Sequence, residues 1–471
     1  MEKPNLLPQN NGTSLKRDLG LAAATAIVIG NTIGSGIFMS PTSMAKVSNP
    51  TTCIIAWVIT AIGSLLIALS LSNLASAMPK TGGPIVYTRA ALGDFAGFIV
   101  AWTYWVGAWI GNAAIITGFM SYLAYFFPVL NTNKLLAFLI CTAIVWIFTL
   151  INIYGVKEAG IVSIITTVLK ILPLIIFIII AAMHFAPSNF NTVASPETSG
   201  MKTLPGAIAI ALWGFVGLES ASVAGGEIKN AEKIVKKSTM YGILFTAIIY
   251  ILISTLAMGA MSQGALAKSG APLADIIDSA TGGKWGGILI ALGALISTLG
   301  ATSGWFLTTA RSAFAAAEDK LFPTFFAKVH PKAKTPYVSL IISAAATNML
   351  LILNYVQSLA DAFNFMILLA TLSFLPVYAF CAIAEIVLLS KHPKNFNIFN
   401  FIKNSFFALL AFAYSIYAIY GTGAESVMYG FILILVGLPF YIYMMFQHNK
   451  ELKAVDNARK AAGLLSDNDV A

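Results

Sequence analysis

Long stretches of this chain contain no charged residue, as in Ile54–Leu74 and Leu136–Ile153. Each approaches or reaches the roughly 20 residues that an α-helix needs to cross the hydrocarbon core of a bilayer. The 471 residues are 58% hydrophobic and 10% charged, whereas soluble domains average about 45–50% apolar and about 25% charged residues. Helices satisfy their own backbone hydrogen bonds in lipid. The sequence therefore predicts an all-α membrane protein with many spans.

The charged residues indicate how the spans cross the membrane. The apolar runs divide into twelve predicted transmembrane helices between residues 19 and 447. With the N-terminus inside the cell, lysines collect in the inner segments, as in Lys229–Lys237, while the outer loops keep few, such as Lys46 and Lys134. Positive residues mark cytoplasmic loops, so both termini are predicted to be cytoplasmic, in the cell membrane of a prokaryote. The same distribution explains the formal charge of +9 without a nucleic-acid partner.

Two predicted spans are interrupted by residues that disfavour a helix. The first breaks at "GNTIGSGIF", residues 30–38, and the sixth at "ALWGFVGLESASVAGG", residues 211–226. Glycine inside a helix costs about 1 kcal/mol relative to alanine, and in lipid the opened backbone must find other partners. Paired broken helices in corresponding positions of inverted repeats indicate the substrate site of a transporter.

The spacing of the two breaks predicts the organisation of the chain. They lie five spans apart, and an odd number of spans in a repeat inserts the second copy upside down. The predicted segments are a cytoplasmic N-terminal segment at 1–18, a first five-helix repeat at 19–183, a second, inverted repeat at 204–390, two further helices at 400–447 and a cytoplasmic tail at 448–471.

Backbone groups freed by the first break suit a zwitterion. A helix that restarts near Ser35 presents unpaired N–H groups and the positive end of its dipole, which favour a carboxylate. Carbonyls left by the half that ends near Ile29, and those near Trp213, suit an ammonium. The alternative is that the small residues of "GNTIG" serve helix packing. Two breaks in corresponding positions favour the binding site over packing.

Motifs along the chain, from about residue 16 to 447, resemble those of the amino acid–polyamine–organocation (APC) superfamily. "GNTIGSGIF", "PKTGGPIVYTRAALG" and "GFVGLESASVAGGEIKNAEK" are similar to motifs of the superfamily. "YWVGAWIGN", "LWGFVGLESASVA" and "SGWFL" are similar to its antiporters of basic amino acids and amines. The resemblance implies a LeuT-type fold of twelve helices, a 5+5 inverted repeat with helices 1 and 6 broken. No cofactor is expected, and the spacing of the three cysteines predicts no metal site.

The resemblance also implies which residues contact the substrate. The first break would hold the substrate carboxylate, and tryptophans would close over the ligand, since an indole face suits an aliphatic stem or a cation. The alternative for Ser35 is a hydrogen bond to its own helix. For Trp213 and Trp305 the alternative is packing in the bilayer. The implied substrate-binding residues are Asn31, Ile33, Gly34, Ser35, Gly36, Tyr104, Asn112, Trp213, Gly214 and Trp305.

Two ionisable residues inside predicted spans are candidates for proton coupling. Glu219 follows the sixth-span break, and a carboxylate inside a membrane is functional by default. The resemblance implies that it senses protons and governs substrate release. The alternative is a carboxyl bonded to a neighbouring hydroxyl, that of Ser220 or Ser222.

Lys170, in "TTVLKILPLI", is the second of these candidates. It resembles the fifth-span lysine of other superfamily members, whose ammonium sits against the broken first helix in place of a sodium ion. About ten apolar residues flank it on each side, so snorkelling to the interface is disfavoured.

Three positions depart from the antiporters of arginine and its amine. Ile115, Leu369 and Val377 stand where those proteins have a methionine, a serine and a tyrosine that shape the side-chain pocket. The changes remove polar contacts to a guanidinium, so a shorter or more apolar substrate becomes an alternative to arginine. Four charged residues near the predicted cytoplasmic ends of spans form either an intracellular gate or solvated surface: Arg89, Arg311, Glu227 and Glu385.

The predicted function is secondary active transport of amino acids by alternating access. The first hypothesis is an antiporter that exchanges an external amino acid for a cytoplasmic amine or a second amino acid. The alternative, favoured by Lys170 and the apolar pocket, is a proton-coupled or uncoupled permease or exchanger for neutral amino acids. Partners are small-molecule substrates and the lipid bilayer, and a homodimer is one option because the superfamily contains both dimers and monomers. An enzyme is disfavoured, since the sequence has no nucleophile–base pair, metalloprotease motif or nucleotide loop.

Overall fold

The computed structural model describes residues 19–78, 82–154, 159–190, 198, 200–225, 228–390 and 398–461. The predicted N-terminal segment, the end of the predicted tail from residue 462, and Glu227 lie outside the described residues. Within them the chain is helical, apart from loops and one isolated parallel bridge between Leu19 and Ile228.

The first half of the described chain runs through ten α-helices. Two of them, α9 and α10, flank a series of turns within the second predicted break. Short 3-10 helices cover Pro187–Phe190 and Met201–Thr203. The α-helices are α1 Leu21–Thr32, α2 Ser35–Val47, α3 Pro50–Ala77, α4 Pro84–Leu92, α5 Asp94–Phe126, α6 Val129–Thr132, α7 Lys134–Tyr154, α8 Ala159–Met183, α9 Leu204–Trp213 and α10 Ser220–Val223.

The second half continues with longer helices and one 3-10 turn at Thr324–Ala327. Its α-helices are α11 Ala231–Ala260, α12 Gln263–Leu266, α13 Pro272–Thr281, α14 Lys284–Glu318, α15 Tyr337–Leu350, α16 Leu353–Val356, α17 Leu359–Ser390, α18 Ile398–Gly421 and α19 Ala424–Ala461.

The described helices suit a bilayer. Among the described residues, 9 helical segments are long and apolar enough to cross a membrane, with α1 and α2 counted as one segment. Three further apolar helices are shorter, at Thr167–Met183, Met201–Trp213 and Ser405–Gly421. Many large apolar side chains stay exposed on the outer faces of these segments, for example Phe431 and Ile432 of α19. Such a surface fits lipid rather than water, so the all-α membrane class is confirmed.

Both predicted helix interruptions are present. α1 ends at Thr32 and α2 begins at Ser35, with only Ile33 and Gly34 between them. In the second break, a series of turns from residue 214 to 219 separates α9 from α10. The two breaks touch, because Gly217 (φ +106°) brings its backbone against Asn31, where a Cβ would lie 3.1 Å from the Asn31 carbonyl oxygen.

Helix α5 forms the centre of the molecule. Its most apolar 18-residue window is fully buried, so both of its faces pack on other helices. A Cβ at Gly118 of α5 would lie 2.8 Å from the Cβ of Ser35. The absence of a side chain at Gly118 therefore allows α5 to pack directly on the first turn of α2, beside the break.

Candidate functional site

A small cavity lies where the two broken helices meet. Its volume is about 20 Å³, which is room for about one water molecule. Trp213 and Trp305 cover it from α9 and α14, so it must widen to hold an amino acid. The residues that line it are Asn31, Thr32, Gly34, Ser35, Gly36, Ile115, Trp213, Val216 and Trp305.

The start of α2 supplies hydrogen-bond donors to this cavity. Gly34 is the N-cap and has no side chain to bond the first amides of the helix, which leaves N–H groups and the positive dipole end facing the break. The Ser35 hydroxyl is buried and has no hydrogen-bond partner among the described residues. The alternative in which Ser35 bonds to its own helix is therefore wrong in this conformation, and the position suits a carboxylate.

The carbonyls at the end of α1 are bonded to protein donors. Lys170 Nζ donates to Gly30 O at 2.7 Å, and the Trp305 indole N–H donates to Asn31 O at 3.2 Å. The Tyr250 hydroxyl donates to Thr32 O at 2.8 Å. These donors come from α8, α14 and α11 respectively. A substrate ammonium at these carbonyls must share a lone pair or replace a donor, and the longest of the three bonds is that of Trp305.

Lys170 lies where the resemblance implied, against the broken first helix. Its side chain is 2% exposed, so it does not snorkel to an interface. A cation at the C-terminal end of a helix is favoured by the helix dipole, and a buried ammonium needs an acceptor. Gly30 O, three residues before the start of the break, satisfies both conditions.

Glu219 is held by three donors. It is 1% exposed and accepts hydrogen bonds from the Tyr104 hydroxyl at 3.2 Å, the Tyr378 hydroxyl at 3.0 Å and the Gly217 N–H at 3.2 Å. A carboxylate accepts through both oxygens, and this cradle supplies donors to both. The serines proposed as alternative partners bond elsewhere, since the Ser220 hydroxyl accepts from Asn31 Nδ2 at 2.8 Å and the Ser222 hydroxyl donates to the Glu219 main-chain carbonyl.

The predicted aromatic residues surround the same region. Phe374 packs edge-on against both Tyr104 and Trp305, with ring centroids 5.2 Å and 6.0 Å away. Trp213 lies with its ring edge against Gly36. Asn112 donates to the Thr309 hydroxyl at 3.0 Å, and its Oδ1 is buried without a partner in the described part of the chain.

Four predicted binding residues are not among those that line the cavity: Ile33, Tyr104, Asn112 and Gly214. Two of them, Ile33 and Gly214, lie behind it. Ile33 is fully buried between α1 and α2. Gly214 lies under the Tyr250 ring, where a Cβ would be 2.5 Å from a ring carbon. Gly214 thus lets Tyr250 reach Thr32 O, so its contribution to the break is through packing.

The three predicted specificity residues do not all line the cavity. Ile115 lines the cavity, whereas Leu369 and Val377 are buried within α17 and are not among its lining residues. The residue after Val377, Tyr378, is the one that reaches Glu219. Sequence analysis missed Tyr378 and Tyr250, although a buried tyrosine hydroxyl in an apolar helix needs a partner and was a signal for both.

A second, larger cavity of about 260 Å³ adjoins the first and extends toward the start of α1, called here the Leu19 end. Asn31 lines both cavities, and Tyr104 and Ser220 line the second. The remaining lining comes from the ends of α1, α4 and α10 and from one face of α14 that carries Gly304, Leu307, Thr308, Arg311, Ser312 and Ala315.

At the opposite end of the bundle, called here the Val47 end, hydrogen bonds and an ion pair join α2 to its neighbours. The Thr42 hydroxyl of α2 donates to Ser269 O at 2.9 Å, and Lys46 pairs with Asp361 of α17 at 2.6 Å. Gln263 donates to Ala45 O and to the carbonyl of the α2 C-cap residue. The central cavity is therefore closed toward the Val47 end, and toward the Leu19 end it adjoins the second cavity at Asn31.

The predicted intracellular gate residues do not form one cluster in the described chain. Arg89 bonds to Asp94 at 2.7 Å and to the Asp319 carbonyl at 3.0 Å. Glu385 instead accepts from Asn73 of α3 at 2.8 Å. Arg311 lines the second cavity.

Comparison with known proteins gives consistent matches over almost the whole chain. The profile of the amino acid permease family matches residues 19–445. An arginine/ornithine antiporter of Lactococcus lactis is 31% identical over 453 residues, which cover 90% of this chain and 84% of that protein. An arginine/agmatine antiporter of Chlamydia abortus is 33% identical over 448 residues, 92% of this chain and 91% of that protein. An arginine/ornithine antiporter of Pseudomonas aeruginosa is 32% identical over 431 residues, 89% of each chain.

Proposed function

Because this chain belongs to the amino acid permease family, we propose that it is a secondary active amino acid antiporter of the cell membrane. Its relatives are antiporters of arginine with ornithine or agmatine, and the family transports rather than transforms its substrates. The observation that carries the proposal is the cavity between two touching helix breaks, with the uncapped start of α2 on one side and two tryptophans on the other.

The proposed architecture is the twelve-span, 5+5 inverted repeat of the LeuT type. Support comes from the 9 long segments and three shorter apolar helices of the described chain. Further support is that the broken segments begin the two proposed repeats, 19–183 and 204–390. Residues 400–447 then form two additional helices, and the charge distribution of the loops supports cytoplasmic termini.

In the proposed binding mode the substrate lies across the two breaks. Its carboxylate bonds to the Ser35 hydroxyl and the first amides of α2. Its ammonium lies at the end of α1, where it displaces the Trp305 indole from Asn31 O. The side chain extends toward Ile115, beneath Trp213, which favours an aliphatic stem.

Transport proceeds by alternating access around this site. The bonds at the Val47 end and the cavity at the Leu19 end correspond to a conformation that gives access from one side. In this proposal the first, second, sixth and seventh spans, which are α1–α2, α3, α9–α10 and α11, rock against the third, fourth, eighth and ninth, which are α5, α7, α14 and α15–α16. Glu219 accepts hydrogen bonds from Tyr104 on α5 and Tyr378 on α17 and so couples the second break to these helices. The Lys170 ammonium holds the first break at Gly30 O, in the place of a sodium ion.

Counterflow in liposomes tests the proposal. Purified protein is reconstituted in liposomes loaded with one member of a panel of amino acids and amines, and uptake of labelled arginine, ornithine, leucine and alanine is measured at acidic and neutral pH. The expected result is uptake that requires a loaded counter-substrate. Equal uptake into empty liposomes would instead indicate a permease, and no movement of any of these compounds would refute the assignment.

A further inference from the structure

An apolar cavity lies between α5, α17, α18 and α19. Its volume is about 160 Å³, close to the roughly 150 Å³ of an engineered apolar cavity that stays dry and binds benzene. It shares no lining residue with the two cavities beside the helix breaks, so the antiport mechanism leaves it unexplained. It is called here the third cavity, and its lining includes Trp102 and Val106 of α5, Leu372 and Pro376 of α17, Ile419 of α18 and Ile434 of α19.

The wall of the third cavity is unsuited to water. None of the described residues that line it is charged. Three of them carry a polar hydrogen, and each donates it to a main-chain carbonyl at 2.8–2.9 Å: Trp102, Thr103 and Ser373. A buried water needs several polar partners, so the third cavity suits an apolar occupant.

The third cavity opens on the lipid-facing surface. Val427 and Phe431 of α19 line it and are exposed, and Phe431 belongs to the outer face that fits lipid rather than water. Val106 and Leu372 also line the cavity and are buried, so it leads from the surface into the bundle. Because the cavity is continuous with the interface between protein and bilayer, the apolar groups that reach it first are the acyl chains of the surrounding lipids.

Close packing of α19 beside the third cavity does not remove it. A Cβ at Gly430 would collide with the Leu372 side chain. The α19 backbone is thus already against Leu372, and α19 cannot fill the space by moving toward α17. Side chains around an empty cavity lose dispersion contacts on one side, and an acyl chain restores them.

We propose that the third cavity binds an acyl chain of a membrane phospholipid. The chain enters beside Val427 and Phe431 and lies against Val106 and Leu372. The inference goes beyond transport and does not depend on which solutes are exchanged.

The proposed lipid chain contacts the two helices that hold Glu219. Tyr104 of α5 and Tyr378 of α17 donate to that carboxylate. Val106 and Leu372 of the same helices line the third cavity. A single layer of helices therefore separates the lipid chain from the Glu219 carboxylate.

Photolabelling in liposomes tests the lipid site. The full chain is reconstituted with a phosphatidylcholine that carries a diazirine near the middle of one acyl chain. After illumination and digestion, mass spectrometry locates the labelled residues. We expect label on Val106 and Leu372, because an acyl chain inside the cavity reaches these buried side chains. Ile432 of α19, exposed outside the lining, is the positive control, and Ile110 of α5, buried outside the lining, is the negative control.

Two variants that fill the third cavity from different helices sharpen the test. Ile434→Phe on α19 and Ile419→Phe on α18 each enlarge a lining side chain. Either variant is expected to lower the labelling of Val106 and Leu372 about tenfold, the effect of excluding about two methylene groups from the cavity. Ile432→Phe adds the same bulk to α19 outside the lining and is expected to leave this labelling unchanged. Because the filling side chains come from separate helices, a failure of one variant to fold leaves the other available.

Three kinds of result would overturn the lipid site. Label on Ile432 without label on Val106 or Leu372 in the wild type would mean that no acyl chain enters the cavity. Equal label on Ile110, or unchanged labelling in both filling variants, would mean that the reagent reaches buried residues by another route. Absence of label from Ile432, together with cross-links between the α19 helices of two chains, would assign the mouth of the cavity to a second copy of this protein.

Discussion

Replacement of Lys170 by methionine is the sharpest test of how the first break is held. Lys170→Met keeps the length of the side chain and removes the ammonium that donates to Gly30 O at 2.7 Å. The Lys170 side chain is buried, and the unbranched methionine side chain fills nearly the same space. The change therefore isolates one charged hydrogen bond at the end of α1.

The size of the effect follows from that bond. A hydrogen bond to a charged group contributes about 1.5–3 kcal/mol, and a cation at a helix C-terminus adds about 0.3–1 kcal/mol. Folding stability changes less, because methionine also removes the cost of burying a charge. Loss of this bond instead changes the position of the end of α1 beside the cavity, and we expect exchange to slow by about tenfold to hundredfold.

The assay is initial-rate counterflow in liposomes, with the melting temperature of the purified protein measured in parallel. Lys134→Met is the matched control, because Lys134 also donates to a main-chain carbonyl, that of Val356 at 3.3 Å, but this bond is exposed, at the start of α7. The control should exchange at the wild-type rate. Wild-type exchange in Lys170→Met would refute the argument that this bond holds the break in a functional geometry.

Three further predictions concern the bonds around the site. Glu219→Gln replaces one of the two carboxyl oxygens that accept from Tyr104 and Tyr378 by an NH₂ group, and we expect exchange to fall about tenfold to hundredfold. Tyr378→Phe loses one of these bonds, and its exchange should fall about threefold to tenfold. Initial rates of counterflow measure both variants, and a wild-type rate in Glu219→Gln would exclude a coupling role for Glu219. Lys46→Ala breaks the exposed ion pair with Asp361, worth about 0.2–1 kcal/mol. Labelling of a cysteine introduced at the Val47 end of the bundle should rise by up to about fivefold. Unchanged labelling would mean that the pair does not close the Val47 end. Trp305→Phe should lower the occupancy of the present conformation by up to about tenfold, as judged by labelling of a cysteine introduced in the second cavity. Tyr250→Phe should lower the melting temperature and leave that occupancy unchanged. Identical behaviour of the two variants would contradict the different roles assigned to their bonds.

Local sequence chemistry predicts the breaks and their nearest partners well. The three glycines within residues 30–36 disfavour a continuous helix, so the interruption between Thr32 and Ser35 was predictable. Lys170 was predictable as well, because a charge in the middle of an apolar span needs an acceptor, and an opened helix end supplies one. The burial of Glu219 follows from its place at the end of the second break.

Contacts that depend on helix rotation were not predictable from one sequence. Neighbouring residues on a helix differ by about 100° around its axis, so Val377 and Tyr378 point to different surroundings although they are adjacent. Only the packing of α17 on α5 and α9 decides that Tyr378 reaches Glu219. The bond from Tyr250 to Thr32 likewise joins residues 218 positions apart, and no local pattern encodes such a pair.

The three donors at the end of α1 come from helices with different proposed roles, and this decides which bonds transport must break. In the proposed mechanism α11 rocks together with α1, so the bond from Tyr250 to Thr32 O persists through the cycle and contributes to stability. In the same mechanism α14 belongs to the stationary scaffold, so the bond from Trp305 to Asn31 O has to break when α1 moves. The same carbonyl is the one proposed for the substrate ammonium. Exchange of one donor for the other thus links ligand binding to the release of α1 from the scaffold, which gives the substrate a direct part in the conformational change.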